Sequence, residues 1–301
     1  MNVLAIYTNF KHHGEFGGYK QILKFIKPKF TLGIFSGYGN SNFLGRYPWL
    51  YEFIAWYKYR KKVDLIHLLY GEDYFRFSSI LFPNKKIVVS FHQPENVLRN
   101  DVKFGNYRGR VGALTHKFTK NRFKKLHAAI VMEASQKNAL ATVMPSEKIH
   151  VLPLGTYLNR LDKIKPIDNL EIKHQIITVG VWERNWDEYF SVVEKCNLVY
   201  PNLKFILITR ILPTEVKSRL GDFSNLEYLS DINDIELYKN YYCSIAQFLP
   251  VHSAAGNNTV LEGFSLGCPL IMTNVVSQEY PFRKSFTQFY DKGDVDRVIE
   301  I

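Results

Sequence analysis

The segment Ser253-Ala254-Ala255-Gly256-Asn257-Asn258-Thr259-Val260-Leu261-Glu262-Gly263 joins a run of strand character to one of helical period. It holds the residue types in this chain most able to do chemistry. A helix start exposes main-chain N–H groups, and the helix dipole behind them favours negative charge, so Gly256, Asn257, Asn258 and Thr259 form a natural diphosphate site. Glu262, one turn further in, can direct a carboxylate at the two hydroxyls of a ribose. Gly267 then ends the helix and Pro269 opens the next strand. The same residues also read as an ordinary capped helix, with Asn257 or Asn258 as N-cap and Glu262 on a solvated face. Taken alone, they leave both readings open.

Other segments carry a resemblance in a fixed order. Gly256-Asn257-Asn258-Thr259-Val260-Leu261-Glu262-Gly263, five residues, then Pro269 resembles the donor-site segment of retaining GT-B glycosyltransferases of glycosyltransferase family 4. Ile176-Ile177-Thr178-Val179-Gly180 followed by Arg184 is similar to that family's strand-glycine loop, whose basic residues grip the donor phosphates. Val88-Val89-Ser90-Phe91-His92 resembles its strand ending in a histidine that faces the donor sugar. Lys148-Ile149-His150-Val151-Leu152-Pro153-Leu154-Gly155 looks like the segment that closes its first domain, and Gly17-Gly18 matches its glycine loop over the phosphates.

The resemblance implies a two-domain α/β fold, mainly parallel sheets facing a cleft, a UDP- or GDP-sugar as co-substrate, retention of configuration, and no cofactor or metal ion. Breaking a sugar–diphosphate bond leaves a diphosphate, whose charge Arg184 and the amides of Asn257–Thr259 would stabilise. Blander readings stand beside these: His92 as a polar strand cap, Gly17-Gly18 as a turn, Arg184 as a solvated loop residue, Trp182 and Trp186 as packing. The lone Asp-x-Asp, Asp294-Val295-Asp296, reads as a solvated helix start.

The sequence also departs from the family pattern. Ala254 stands where many members carry the first of two glutamates eight positions apart, and Asn185-Trp186 replaces the usual lysine after Arg184. Family members usually have closing helices where this chain stops, soon after Asp291–Ile301, which is expected either of a short version or of a truncated chain.

Positioning these residues takes alternating strands and helices. Apolar runs at Val3–Tyr7, Phe30–Phe35, Asp64–Leu69, Lys86–Phe91, Ala128–Met132 and Ile149–Leu152 alternate with helical periods at Tyr19–Ile26, Tyr47–Lys61, Arg108–Lys125 and Ser135–Val143. After a linker-like stretch from Gly155 to Glu171 the alternation restarts, with strands at Ile176–Val179, Lys204–Thr209, Leu226–Leu229, Ser244–Leu249 and Pro269–Met272. Such alternation predicts two doubly wound, mainly parallel sheets, residues 1–158 on the acceptor side and 159–301 binding the nucleotide sugar.

Charge divides along the same boundary. Residues 1–160 hold 25 Lys and Arg against 9 Asp and Glu, a balance of +16. The remainder holds 14 against 19, or −5, giving the net +11. An excess on one half points to an anionic partner there. Lys103 to Lys125 has eight cations and no acid. Tyr47–Lys62 is dense in Trp and Tyr and ends Arg60-Lys61-Lys62, the mixture found in interfacial helices.

We expect the first half to dock on an anionic membrane, with Trp49 or Trp56 inserted, and to receive a lipid-linked or polysaccharide precursor there. Three scattered cysteines, no basic leader and no apolar run of ~18 residues favour a cytoplasmic protein, peripheral on the inner membrane face. Two other classes remain: a non-catalytic sugar-nucleotide-binding homologue, prompted by Ala254, and a nucleic-acid-binding protein, prompted by the basic half. No nucleic-acid module motif supports the latter.

Overall fold

The computed structural model describes residues 1–9, 18–34, 47–96, 98–99, 114, 117, 121–156, 162, 170–253, 257–275 and 283–301. The chain divides into two compact units, one closing at Leu154 and the other continuing from Gly155 to Ile301.

The first unit is built on a six-stranded parallel sheet in the order β2-β1-β3-β4-β5-β6. Its strands are β1 (Val3–Thr8), β2 (Phe30–Ile34), β3 (Leu65–Leu68), β4 (Lys86–Phe91), β5 (Ala128–Val131) and β6 (Ile149–Val151). Between them run α1 (Leu23–Ile26, after a 3-10 turn at Tyr19–Ile22), α2 (Tyr51–Tyr59), α3 (Gly71–Tyr74), α4 (Ser78–Leu81) and α5 (Ala134–Leu140).

The second unit repeats the plan in the order β12-β11-β10-β7-β8-β9. Its elements are β7 (Lys173–Val179), α6 (Trp186–Val199), β8 (Lys204–Ile208), α7 (Thr214–Lys217), β9 (Leu226–Leu229), α8 (Asp234–Cys243), β10 (Ser244–Leu249), α9 (Asn258–Ser265), β11 (Leu270–Thr273), α10 (Arg283–Phe286), β12 (Thr287–Tyr290) and α11 (Val295–Glu300). Both sheets are thus parallel and α/β, as the alternation predicts.

Strands buried on both faces explain the near-continuous apolar runs. In β7, Ile176 packs with Tyr189, Phe190, Phe205 and Phe248 on one face, and Ile177 packs with Ile206, Tyr241 and Leu266 on the other. In the first unit Leu4, Ile6, Ile66, Val89 and Phe91 anchor a core that also takes in Tyr74, Phe75 and Phe123.

Two buried carboxylates tie elements that packing alone would leave loose. Glu52 of α2 accepts the main-chain N–H groups of Arg76 (2.9 Å), Phe77 (2.7 Å) and Ser78 (2.6 Å), and also the Ser78 hydroxyl. It therefore satisfies the open start of α4 from another helix. Glu188 of α6 does the same for the far edge of the second sheet. It accepts Tyr290 Oη–H at 2.5 Å and the Gly293 N–H at 2.7 Å, which fixes β12, a strand the sequence does not announce.

Asp294 caps α11 through the Arg297 N–H (3.1 Å), as its reading as a helix start requires. Among the described residues no helix is long and apolar enough to cross a membrane.

The basic half differs in two places from expectation. Trp49 is half-buried, its ring 5.4 Å from Phe77 and 6.4 Å from Phe53, and it packs on the core periphery. Trp56 is exposed, with the Arg60 guanidinium over its ring at 4.4 Å. Arg122 is buried at 2% exposure and stacked on Phe123, so it does not belong to a solvated cationic face. Most of Lys103–Lys125 lies outside the described residues; Lys117, Lys124 and Lys125 are exposed.

Candidate functional site

In a doubly wound sheet ligands bind beyond the C-terminal ends of the strands, where the strand order reverses. In the second unit that point lies between β7 and β10. Gly180 leaves β7 with φ +77°, a left-handed conformation open to glycine at little cost, and Glu183 follows at φ 55°. This turn is clipped to the segment leaving β10. Arg184 forms a β-bridge with Val251, the Asn185 N–H donates to Pro250 O (2.9 Å), and Ser253 Oγ–H donates to the Glu183 carboxylate (2.9 Å).

The turn folds Arg184 inward. Its side chain is not solvated: it is 6% exposed, with Nη2 donating to Val179 O (2.7 Å) and Thr259 Oγ1 (3.3 Å) and Nη1 to Trp182 O (3.0 Å). None of these partners is a carboxylate, and Nε has no partner among the described residues. Burial pulls the guanidinium down to about 10, which leaves it a cation at neutral pH. A buried cation with no counter-ion among the described residues is costly, and an anion would relieve that cost. Trp186 packs against the core, whereas Trp182 is exposed.

Thr259 links Arg184 to the start of α9. Asn257 is the N-cap: its Oδ1 accepts the Thr259 N–H (3.1 Å) and the Thr259 hydroxyl (2.7 Å). Behind them Gln247 Nε2 and Tyr241 Oη both donate to Thr259 O, at 3.2 and 3.3 Å. The structure thus brings Gly180, Arg184, Asn257 and Thr259 together. Asn258 is the first residue of α9 and half-buried, and Glu262, also half-buried, follows one turn later. Gly256 lies outside the described residues, as do Ala254 and Gly17.

Gly263 is where α9 presses on β10, since an added Cβ would stand 2.6 Å from Gln247 Oε1. Gly263→Ala is expected to cost about 1–3 kcal/mol through overpacking and to displace Gln247 from Thr259. Chemical denaturation measures the loss, and unchanged stability would show that the contact yields freely.

In the first unit His92 follows directly on β4. Its N–H donates to Glu72 Oε1 (2.9 Å), and its Nδ1 stands 3.5 Å from the same oxygen. The ring lies against Tyr19 (4.3 Å between centroids) and Tyr70 (4.8 Å). Neither ring nitrogen has a hydrogen-bond partner among the described residues, nor has Glu72 Oε2. Gln136 Nε2–H holds the next residue through Gln93 O (2.7 Å).

Behind the imidazole, Ser90 Oγ contacts His67 Nε2 (2.9 Å) and Tyr19 Oη (3.2 Å). Burial, and then the charge of His92, pushes His67 down to about 4. Gly18, at φ 78°, starts the turn that delivers Tyr19. Glu72 and Tyr19 were not singled out in the sequence; the only signal for Glu72 is an acid placed just after a strand end.

No protein-family profile and no curated protein sequence matches the chain. Solved structures do. Sucrose-phosphate synthase from Thermosynechococcus elongatus is 12% identical at TM-score 0.70, with 100% of this chain and 88% of that one covered. WaaG, a glycosyltransferase involved in lipopolysaccharide biosynthesis, is 13% identical at TM-score 0.68, covering 100% and 89%. HepE from Anabaena, in complex with UDP and glucose, is 12% identical at TM-score 0.63, covering 100% and 88%. The chain has the fold of GT-B glycosyltransferases, in agreement with the resemblance of its motifs.

Proposed function

We propose that this protein is a glycosyltransferase that moves a sugar from a nucleotide-sugar donor, such as a UDP- or GDP-sugar, to an acceptor. The observation that carries the reading is Arg184, a buried cation with no carboxylate partner among the described residues, bonded to the first turn of α9. The UDP and glucose bound to HepE support a sugar nucleotide as the matching anion.

In this reading the second unit holds the donor. The diphosphate lies against Arg184 and the Asn257 and Asn258 amides, since the expected Thr259 N–H is taken by Asn257 Oδ1; Gly180 lets the main chain approach it, and Glu262 accepts hydrogen bonds from the ribose. Charge accumulates on the leaving diphosphate as the anomeric C–O bond breaks, and the preset cation and helix dipole stabilise it without reorganising. Transfer proceeds with retention and without a metal ion.

His92, held by Glu72, is the first unit's contact to the sugar, with Gly17 and Gly18 over the phosphates. The acceptor is a lipid-linked or polysaccharide precursor met at the inner face of the membrane, on which the basic first unit docks. The part of WaaG in lipopolysaccharide biosynthesis supports an acceptor of that kind.

Thermal melting with a panel of nucleotides and nucleotide sugars tests the donor, since a ligand bound only to the native state raises its stability. A rise with one UDP- or GDP-sugar is expected; no shift with any nucleotide would sink the reading. Glu262→Ala should weaken nucleotide affinity by about 1–3 kcal/mol, the worth of a charged hydrogen bond. Equal affinity by calorimetry would remove Glu262 from the ribose.

A further inference from the structure

In a parallel sheet all strands begin on one edge and end on the other. In the first unit the ends carry Tyr70, Glu72 and His92, while the beginnings carry something different. Lys29 precedes β2, Lys61 and Lys62 precede β3, and Lys85 and Lys86 open β4. Lys124 and Lys125 precede β5, and Lys148 precedes β6.

The registers Leu4↔Phe30, Val3↔Leu65, Leu65↔Lys86, Val88↔Ala128 and Ala129↔Ile149 bring these segments into one row. Contacts confirm the neighbours: Phe30 and Tyr59 are 5.4 Å apart, and Lys148 Nζ donates to Leu126 O (3.4 Å).

Residues 27–29, 60–64, 85–86, 124–127 and 146–148 contain ten Lys and Arg and two acids. One of those acids, Asp64, already accepts the Asn2 N–H at 2.7 Å. The second sheet shows that the fold does not require this. The segments leading into β7–β12 hold Lys173, Lys204, Arg283 and Lys284 against Glu171 and Asp222, a balance of +2 where the first sheet has +8.

Beside the cations, at the ends of α1 and α2 that run down to the same edge, Phe25 is 71% and Tyr57 74% exposed, with Ile26 and Trp56 also exposed. Cations in a row about 24 Å long, five strand spacings, flanked by large exposed apolar side chains, match the plane of an anionic bilayer and its interface. We propose that the N-terminal edge of the first sheet is the membrane-docking surface. This deepens the membrane part of the proposed function and is independent of the donor site. It also places the edge bearing His92 about 20 Å from the lipid, the length of a six-residue strand.

The test is co-flotation with phosphatidylcholine vesicles, with and without about 30% phosphatidylglycerol, at low salt. Two variants of the whole chain each lose four charges: Lys61→Ser/Lys62→Ser/Lys85→Ser/Lys86→Ser at the edge, and Lys103→Ser/Arg108→Ser/Lys117→Ser/Lys120→Ser in the acid-free basic run of the sequence. Melting and nucleotide binding verify that both are folded.

Wild-type binding to anionic vesicles, lost more than about a hundredfold in the edge variant and less than about tenfold in the other, is expected. Equal losses, or a larger loss in the second variant, would overturn the edge and leave the membrane reading standing. No wild-type binding to anionic vesicles would overturn both and leave the donor site untouched. Tighter binding to random oligonucleotides than to vesicles would assign the edge to nucleic acid and overturn the proposal.

Discussion

Replacing Arg184 by alanine is expected to lower kcat about 10²–10³-fold, with a much smaller change in nucleotide Kd. The asymmetry follows from when the charge appears. The bound diphosphate is already an anion, but it gains charge only as the sugar–oxygen bond breaks, so a fixed cation acts most strongly in the transition state. Arg184 needs no reorganisation, because three hydrogen bonds to Val179 O, Trp182 O and Thr259 Oγ1 hold it in place. Arg184→Lys keeps the charge and loses the planar fork, so most of the loss should persist. Donor hydrolysis or transfer gives kcat, calorimetry gives Kd, and melting shows that the fold survives. Normal turnover in Arg184→Ala would remove it from the chemistry. An equal fall in turnover and affinity would make it a ground-state grip.

Glu52→Ala should destabilise the first unit by roughly 3–5 kcal/mol, since three main-chain N–H groups and a hydroxyl would lose a buried acceptor. Denaturant melts of the first unit measure this; a loss under about 1 kcal/mol would mean that water replaces the carboxylate.

The same residue affects the response to pH. Burial, opposed by its four donors, pushes Glu52 up to about 7 from 4.5, so its contribution is full below pH 4.5 and lost as pH rises through 7. His67 is shifted the other way, to about 4 from 6.5, so its contribution is full above pH 6.5 and lost as pH falls through 4. Between pH 4.5 and 6.5 the native state holds one extra proton at Glu52 and lacks one at His67, and the two slopes cancel. Glu52→Gln should therefore lose stability on acidification by about 1.4 kcal/mol per pH unit relative to the wild type. His67→Gln should gain by a similar amount over the same window. Parallel pH profiles in the wild type and both variants would refute the compensation.

The strands were legible because burial on both faces leaves an uninterrupted signal, as in Ile87-Val88-Val89 or Ile176-Ile177-Thr178-Val179. β12 was not legible: Thr287-Gln288-Phe289-Tyr290 is a short edge strand of mixed polarity, held by a tyrosine hydroxyl on Glu188, 102 positions away in sequence. The four-residue helices α3 and α4 are too short to show a helical period, and the start of α4 is completed by Glu52, 26 residues upstream of Ser78.

Motif order singled out Arg184, Asn257 and His92 as candidates. It did not show that Arg184 is buried, that Asn257 spends its side chain on capping Thr259, or that Glu72 meets His92. Each depends on which strand ends lie side by side. Charge counting likewise identified the basic half without separating the buried Arg122 from the exposed Lys124 and Lys125.

The clip between the turn after β7 and the segment after β10 has a kinetic consequence. Arg184 bridged to Val251, Asn185 bonded to Pro250 and Glu183 bonded to Ser253 hold one flank of the proposed anion site before any ligand arrives. A nucleotide meeting a preset flank has little ordering to wait for, so encounter should limit its capture. In stopped-flow mixing the observed rate should then climb in proportion to nucleotide concentration without levelling off, and it should slow with added salt as the pull of the buried cation is screened.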